Sequence, residues 1–364
     1  MAFPNQVQTA KKIVKAFDEE GHHVVLLFAQ MQSGKTGSFL EAARRLYSTD
    51  KFDDLLFICA SPATDLNEQL RQSVEDAGLY DDNVFKLHDL RKLDEIQDNT
   101  LIVWDEAHFG CREGNLFLEW FRGQGLTSEA DFRARGIRLL MVSATPFDLA
   151  FVPECVVKMV PPVEYRGVSH YLERVRESND ANLHEVLIRE GEETLEPQYG
   201  VIRLCKKFNE RKLLNEVMLA NASLIHKWKV VTYFPTKSGD LRNIQNLVKT
   251  MSRRPKSNTL ILLKQRCRMG NVLPKKNLKF VYESVNAPCT TSILQSLLGR
   301  VCGYHTYTIN VYLPLKMITK GATVPKKLRE EEEFKDKTEL DIYLWAFSQD
   351  KLPERKRKTK MYIL

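Results

Sequence analysis

With 364 residues, the chain is long enough for two domains, each with its own core. A hydrophobic share of 43% and a charged share of 28% exclude a disordered or fibrous chain, and no apolar run reaches the length of a membrane span. The net charge of +7 suits a polyanionic partner without requiring one, while seven scattered cysteines (59, 111, 155, 205, 267, 289, 302) with no CxxC pair argue against a zinc site or disulfide framework.

The N-terminus, MAFPNQVQ, lacks the layout of a signal peptide, so a cytoplasmic protein with no membrane partner is expected. Residues 5–18 carry Val7, Ala10, Ile13, Val14 and Phe17 at helical spacing. Val24–Phe28 is wholly apolar and reads as a buried strand of a parallel sheet. A polar turn ends in Gly34-Lys35-Thr36, and Phe39, Leu40, Ala43 and Leu46 then repeat at helical spacing. Strand, tight loop and helix in that order are what a phosphate-binding loop needs. Backbone N–H groups would point at phosphates, Lys35 would supply a point charge, and the Thr36 hydroxyl could ligate Mg²⁺. Ala29 stands where the GxxxxGK[ST] pattern has its first glycine, and the plain alternative is a surface turn with a lysine.

A second strand, Asp54–Ala60, runs into Ser61-Pro62 and a helix over 65–78. Thr100–Trp104 is an apolar strand ending in Asp105-Glu106, followed by Ala107-His108. Two adjacent carboxylates there are costly unless they lie at a sheet's carboxyl edge and have work to do. Beside a phosphate loop, Asp105 would hold Mg²⁺ through its water shell and Glu106 would polarise the attacking water. Ile137–Val142 forms another strand, ending in Ser143-Ala144-Thr145-Pro146, whose hydroxyls can hydrogen-bond the acidic pair.

Residues 151–200 are broken by Pro153, Pro161 and Pro162 and read as a connection with one or two helices. A second α/β pattern begins at Tyr199, with strands at 199–204, 230–234, 259–263, 280–282 and 307–313 and helices at 208–222, 241–251 and 291–298. Alternation of this kind predicts a mostly parallel sheet flanked by helices. The loop 264–270 carries Arg266 and Arg268, which could contact phosphates or be merely solvated. From Lys316 onward the chain is charged, with an amphipathic stretch at 340–347 and a basic run at 355–360.

QSGKT, WDEAH and SATP, in this order and each at the end of an apolar strand, resemble motifs I, II and III of superfamily 2 helicases and translocases. Ala29 at the first-glycine position is usual in that family. Gln295-Ser296-Leu297-Leu298-Gly299-Arg300 resembles motif VI, whose arginine reaches the γ-phosphate, although the family's second arginine is Gly303 here. The loop carrying Arg266 and Arg268 stands at the motif V position as a looser match. Phe3 and Gln6 resemble the adenine-reading glutamine motif, with Gln8 as a competing glutamine. The form QSLLGRxxGYH is similar to phage, plasmid and large-DNA-virus helicase-like proteins.

The resemblance implies an α/β fold of two tandem RecA-like (P-loop NTPase) domains. These would be residues 1–152 with motifs I to III and 199–315 with motifs V and VI, joined by 153–198 and followed by a charged extension, 316–364. It implies ATP and Mg²⁺ as cofactors, with ATP on Gln6, Gln32, Ser33, Gly34, Lys35 and Thr36, and the metal on Thr36 and Asp105. Lys35, Asp105, Glu106 and Arg300 would be catalytic, and His108, Ser143, Thr145 and Gln295 would couple the nucleotide to the nucleic-acid site. The expected partner is nucleic acid, DNA rather than RNA. A slow, ATP-gated clamp on nucleic acid or protein is the alternative, as is the motor subunit of a restriction, repair or replication complex.

Overall fold

The computed structural model describes residues 2–49, 51–60, 64–86, 89–90, 93, 95–108, 116–144, 149, 151, 153–178, 183–192, 196–204, 210–233, 242–264, 273–284 and 297–314. The chain divides into two compact units, with the boundary between Val163 and Glu164.

The first unit starts with α1 (Pro4–Asp18), β1 (Val24–Phe28), α2 (Lys35–Tyr47), β2 (Asp54–Cys59), α3 (Thr64–Asp76) and β3 (Val84–Lys86). It continues with β4 (Thr100–Asp105), α4 (Leu116–Gly123), α5 (Glu129–Ala134), β5 (Arg138–Ser143) and β6 (Cys155–Lys158). The six strands form one sheet in the order β3-β2-β4-β5-β1-β6, every pair parallel. All five β1 residues are buried, as an apolar run covered on both faces requires. One face packs Ile13, Phe17, Phe39 and Ala43 of α1 and α2 against Val25, Leu27 and Val103. On β4 the fully buried Trp104 stacks on Phe117 of α4 at 4.8 Å, and Phe121 and Phe132 extend that aromatic layer.

The topology positions the site. From β1 the chain crosses through α2 to β2, passing β5 and β4, whereas after β5 it goes to the other side of β1 and forms β6. The loops leaving β1 and β5 therefore part at the carboxyl edge, which is where doubly wound sheets bind ligands.

The second unit contains β7 (Tyr165–Arg166), α6 (Val168–Leu172), β8 (Arg176–Glu177), α7 (Leu183–Glu192), β9 (Tyr199–Leu204), α8 (Glu210–Ser223) and β10 (Lys229–Tyr233). There follow α9 (Arg242–Met251), β11 (Thr259–Lys264), β12 (Leu278–Glu283), a helical turn α10 (Gly299–Val301), β13 (Gly303–Tyr304) and β14 (Asn310–Leu313). Its parallel sheet runs β10-β11-β9-β12-β14-β8, and β13 pairs antiparallel with β7 in a small ribbon. Leu187, Ile202, Val217, Trp228, Leu262 and Phe280 share its core. Gly200 on β9 lies beneath Phe280 of β12, where an added Cβ would come within 2.3 Å of the ring.

The segment expected as a connection, 153–198, contributes an edge strand to each sheet, β6 to the first and β8 to the second. The strand expected from Tyr307 begins at Asn310 instead, because Arg166 donates to the carbonyls of Thr306 and Tyr307 and holds that stretch as a loop. Most of the helix expected at 291–298, and the tail from 316, lie outside the described residues. No helix among the described residues is long and apolar enough to cross a membrane.

Candidate functional site

Three loops converge at the carboxyl edge of the first sheet. The one after β1 is anchored by the Ala29 N–H, which donates to the Ser143 carbonyl at 3.2 Å. It then turns through two left-handed residues, Gln32 at φ 56° and Gly34 at φ 97°. Gly34 precedes the first residue of α2 and is needed twice over: its φ suits glycine, and a Cβ there would lie 2.6 Å from Gln6 Nε2. The positive end of a 13-residue helix thus opens beside Lys35 and Thr36. Ser33 is fully buried, and its hydroxyl donates to the Gln30 carbonyl at 2.7 Å, so it shapes the loop from inside.

Gln6 reaches this loop from α1. Its Oε1 accepts the Phe3 N–H at 2.8 Å, and its Nε2 donates to the Gly34 carbonyl at 3.0 Å. Both ends of the amide engage backbone, and Gln6 acts as a brace across the loop; Gln8 on the same helix is exposed. Beside the brace an open groove runs between α1, α2 and the end of α3, bordered by Gln6, Thr36, Leu40, Arg44 and Asp76.

The loop after β4 brings the acids. Glu106 adopts φ 54°, a strained value for a non-glycine residue and one that recurs at functional sites. Its N–H donates to Asp105 Oδ1 at 2.9 Å. Lys35 Nζ lies 3.2 Å from Asp105 Oδ1 and donates a hydrogen bond to Glu106 Oε1. His108 Nδ1 is 2.9 Å from Ser143 Oγ at the end of β5 and 3.6 Å from Glu106 Oε2. Lys35, Asp105, Glu106, His108 and Ser143, from three separate strand ends, form one connected cluster.

Electrostatics fixes its protonation. Burial alone would lower the Lys35 value, but Asp105 and Glu106 outweigh it and push the ammonium up to about 12. Burial raises the Asp105 carboxyl, which Lys35 opposes and Glu106 reinforces. Burial drives His108 down to about 4, with Glu106 opposing and Lys35 assisting, so its ring is neutral at neutral pH. One lysine facing two carboxylates leaves an excess negative charge. With the partly exposed Thr36 hydroxyl one position along, these hard oxygen donors fit Mg²⁺.

In the second unit, Arg300 lies on α10 and is 5% exposed. Lys275 is held down at about 8, mainly by burial, with Cys302 opposing and Arg300 assisting. A feature the sequence reading missed lies at the carboxyl edge of this sheet. Arg203 of β9 donates to Glu283 of β12 at 2.7 Å, both buried, and burial against the pull of Arg203 raises Glu283 to about 7. The signal was present: two apolar strands each carry a single charge near the carboxyl end. Thr145, Arg266, Arg268 and Gln295 lie outside the described residues.

No protein-family model matches the chain. An uncharacterised protein of Acanthamoeba polyphaga mimivirus is 25% identical over 340 residues, covering 83% of this chain and 82% of its own. Among solved structures, the Type ISP restriction-modification enzyme LlaBIII bound to DNA superposes with a TM-score of 0.54 at 14% identity. That match covers 86% of this chain but 27% of LlaBIII. Saccharomyces cerevisiae Dbp5 bound to RNA and ADP BeF3 matches with a TM-score of 0.50 at 12% identity, over 95% of this chain and 98% of Dbp5. The helicase MrfA bound to DNA gives 0.50 at 12% identity, over 85% of this chain and 46% of MrfA. The shared feature is the fold: two α/β units with six-stranded parallel sheets, as in tandem RecA-like helicase cores.

Proposed function

We propose that the chain is a nucleic-acid-dependent ATPase of the superfamily 2 helicase and translocase kind. The observation that carries this reading is the cluster of Lys35, Asp105, Glu106, His108 and Ser143 beside a glycine-turned loop at a helix N-terminus. Triphosphate oxygens would replace the two carboxylates around the Lys35 ammonium, with α2 and the loop N–H groups facing them. Glu106, released from Lys35, would orient the attacking water and accept its proton. Thr36 and Asp105 would hold Mg²⁺, which would supply charge neutralisation at the phosphates. Neutral His108, in contact with both Ser143 and the Glu106 carboxylate, would report the state of Glu106 along β5. Arg300 is the proposed arginine finger, suited by its permanent charge and fixed planar donors.

DNA is the favoured track, on the resemblance of DEAH and SATP and on the DNA-bound LlaBIII and MrfA among similar folds; Dbp5 is bound to RNA. The mimivirus relative supports the viral kind of helicase-like protein. Lys35→Ala is expected to abolish ATP turnover, and Glu106→Gln to hold ATP without hydrolysing it. Turnover retained in either variant overturns the site assignment. One observation favours the slower, clamp-like reading. Gly303 stands where the family's second arginine would be and has φ 129°, a conformation that disfavours any side chain there. Tight ATP-dependent binding without strand displacement would identify the clamp.

A further inference from the structure

The amino edge of the first sheet, at the other end of β1 from the phosphate loop, holds a second group of reactive side chains. Glu20 follows α1, His22 precedes β1, and Cys155 is the first residue of β6. One ligand atom from each lies within 4.8 Å of the other two. Glu20 Oε2 stands 3.4 Å from His22 Nε2. Ligands bound at about 2.0–2.3 Å to one tetrahedral ion are separated by roughly 3.3–3.8 Å, so this pair already has the spacing of two ligands.

The surroundings point the same way. Glu20 Oε1 accepts from Lys15 Nζ at 2.8 Å, which leaves Oε2 as the oxygen facing His22. Behind His22, its Nδ1 faces Glu154 Oε1 at 3.9 Å, and Glu154 is fixed by Arg133 at 2.6 Å and by the Val24 N–H at 3.0 Å. At 3.9 Å the Glu154 carboxylate is a nearby negative charge behind the ring and not a hydrogen-bond partner.

We propose that Glu20, His22 and Cys155 form a zinc site, with water completing the tetrahedron, which fastens edge strand β6 to the end of α1. A thiolate, an imidazole and a carboxylate suit zinc, whereas Mg²⁺ and Ca²⁺ take oxygen ligands. As the sulfur–zinc bond forms, the Cys155 proton passes to solvent, and thiolate and carboxylate together balance the ion's two charges. The five residues of β1 put the site about 16 Å from the phosphate loop, away from the nucleotide chemistry. The inference does not depend on ATP chemistry.

The test is calorimetric titration of the chelator-treated full chain with zinc, and optical titration with cobalt(II). Wild type should bind one zinc per chain, show a thiolate-to-cobalt band, and melt at a higher temperature with zinc than with chelator. Cys155→Ser should lose the band and the zinc-dependent rise while melting like wild type in chelator, which separates lost binding from failed folding. His22→Ala should lose the tight zinc. Zinc binding that survives both Cys155→Ser and His22→Ala, or a wild type that binds no tighter than they do, overturns the proposal.

Discussion

At the scale of single residues, the candidate site is governed by the charge on Lys35. Its ammonium lies between Asp105 and Glu106, and removing it would leave two partly buried carboxylates facing each other. Lys35→Ala should therefore lower the stability of the nucleotide-free protein by about 1–3 kcal/mol, read by denaturant unfolding, besides ending turnover. His108 gives a pH signature. Its folded value is about 4 against the ordinary value of 6.5, so the fold favours the neutral ring. The stability this contributes is complete above pH 6.5 and is lost as pH falls from 6.5 toward 4. Replacing His108 with Asn should flatten that part of the stability profile by on the order of 1–3 kcal/mol; an unchanged slope would place the acid sensitivity elsewhere. Asp105 and Glu106 were legible in the sequence because two acids at the end of an apolar strand are expensive without a purpose, and Lys35 because Gly-Lys-Thr between a buried strand and a helix is a phosphate-loop pattern. Gln6 was legible as a site residue but its contact was not. Which of its amide atoms meets Phe3 and which meets Gly34 depends on how α1 packs on α2, and local sequence does not encode that.

At the scale of elements, close approach decides the packing of the second sheet. Gly200 is the position over which Phe280 lies, and Gly200→Ala would push a methyl into that ring. The expected cost is about 1–3 kcal/mol in the unfolding midpoint, with a slope unchanged from wild type. A neutral result would mean that β12 shifts freely against β9. Long strands were readable because four or more apolar residues in a row need two covered faces, as in β1, β4, β5 and β11. β7, β8 and β13 have two residues each, too few to show a period, and they exist because a neighbouring strand supplies their hydrogen bonds. The four-residue β6 was hidden by prolines at 153, 161 and 162 on either side. The same blindness concealed the group at Glu20, His22 and Cys155. The spacing of cysteines along the chain excluded a compact CxxC pattern, whereas β6 brings Cys155 to residues near the N-terminus.

At the scale of the whole molecule, the alternation of strands and helices specified two parallel α/β units, and the structure contains two six-stranded parallel sheets. Strand order was beyond the sequence pattern, since β1 takes β5 and β6 as neighbours through pairings between distant segments. That order matters to the candidate site, because β4, β5 and β1 are neighbours and the loops leaving them lie side by side at the carboxyl edge. The fold agrees with helicase cores at identities of 12–14%, so the assignment of activity rests on the local cluster. The most direct measurement is steady-state ATP hydrolysis at low salt, alone and with single-stranded DNA, duplex or forked DNA, and RNA. The proposed activity requires turnover that rises strongly with nucleic acid, most with DNA, and that vanishes in Lys35→Ala. Rates that are the same with every polymer and unaffected by Lys35→Ala would contradict it.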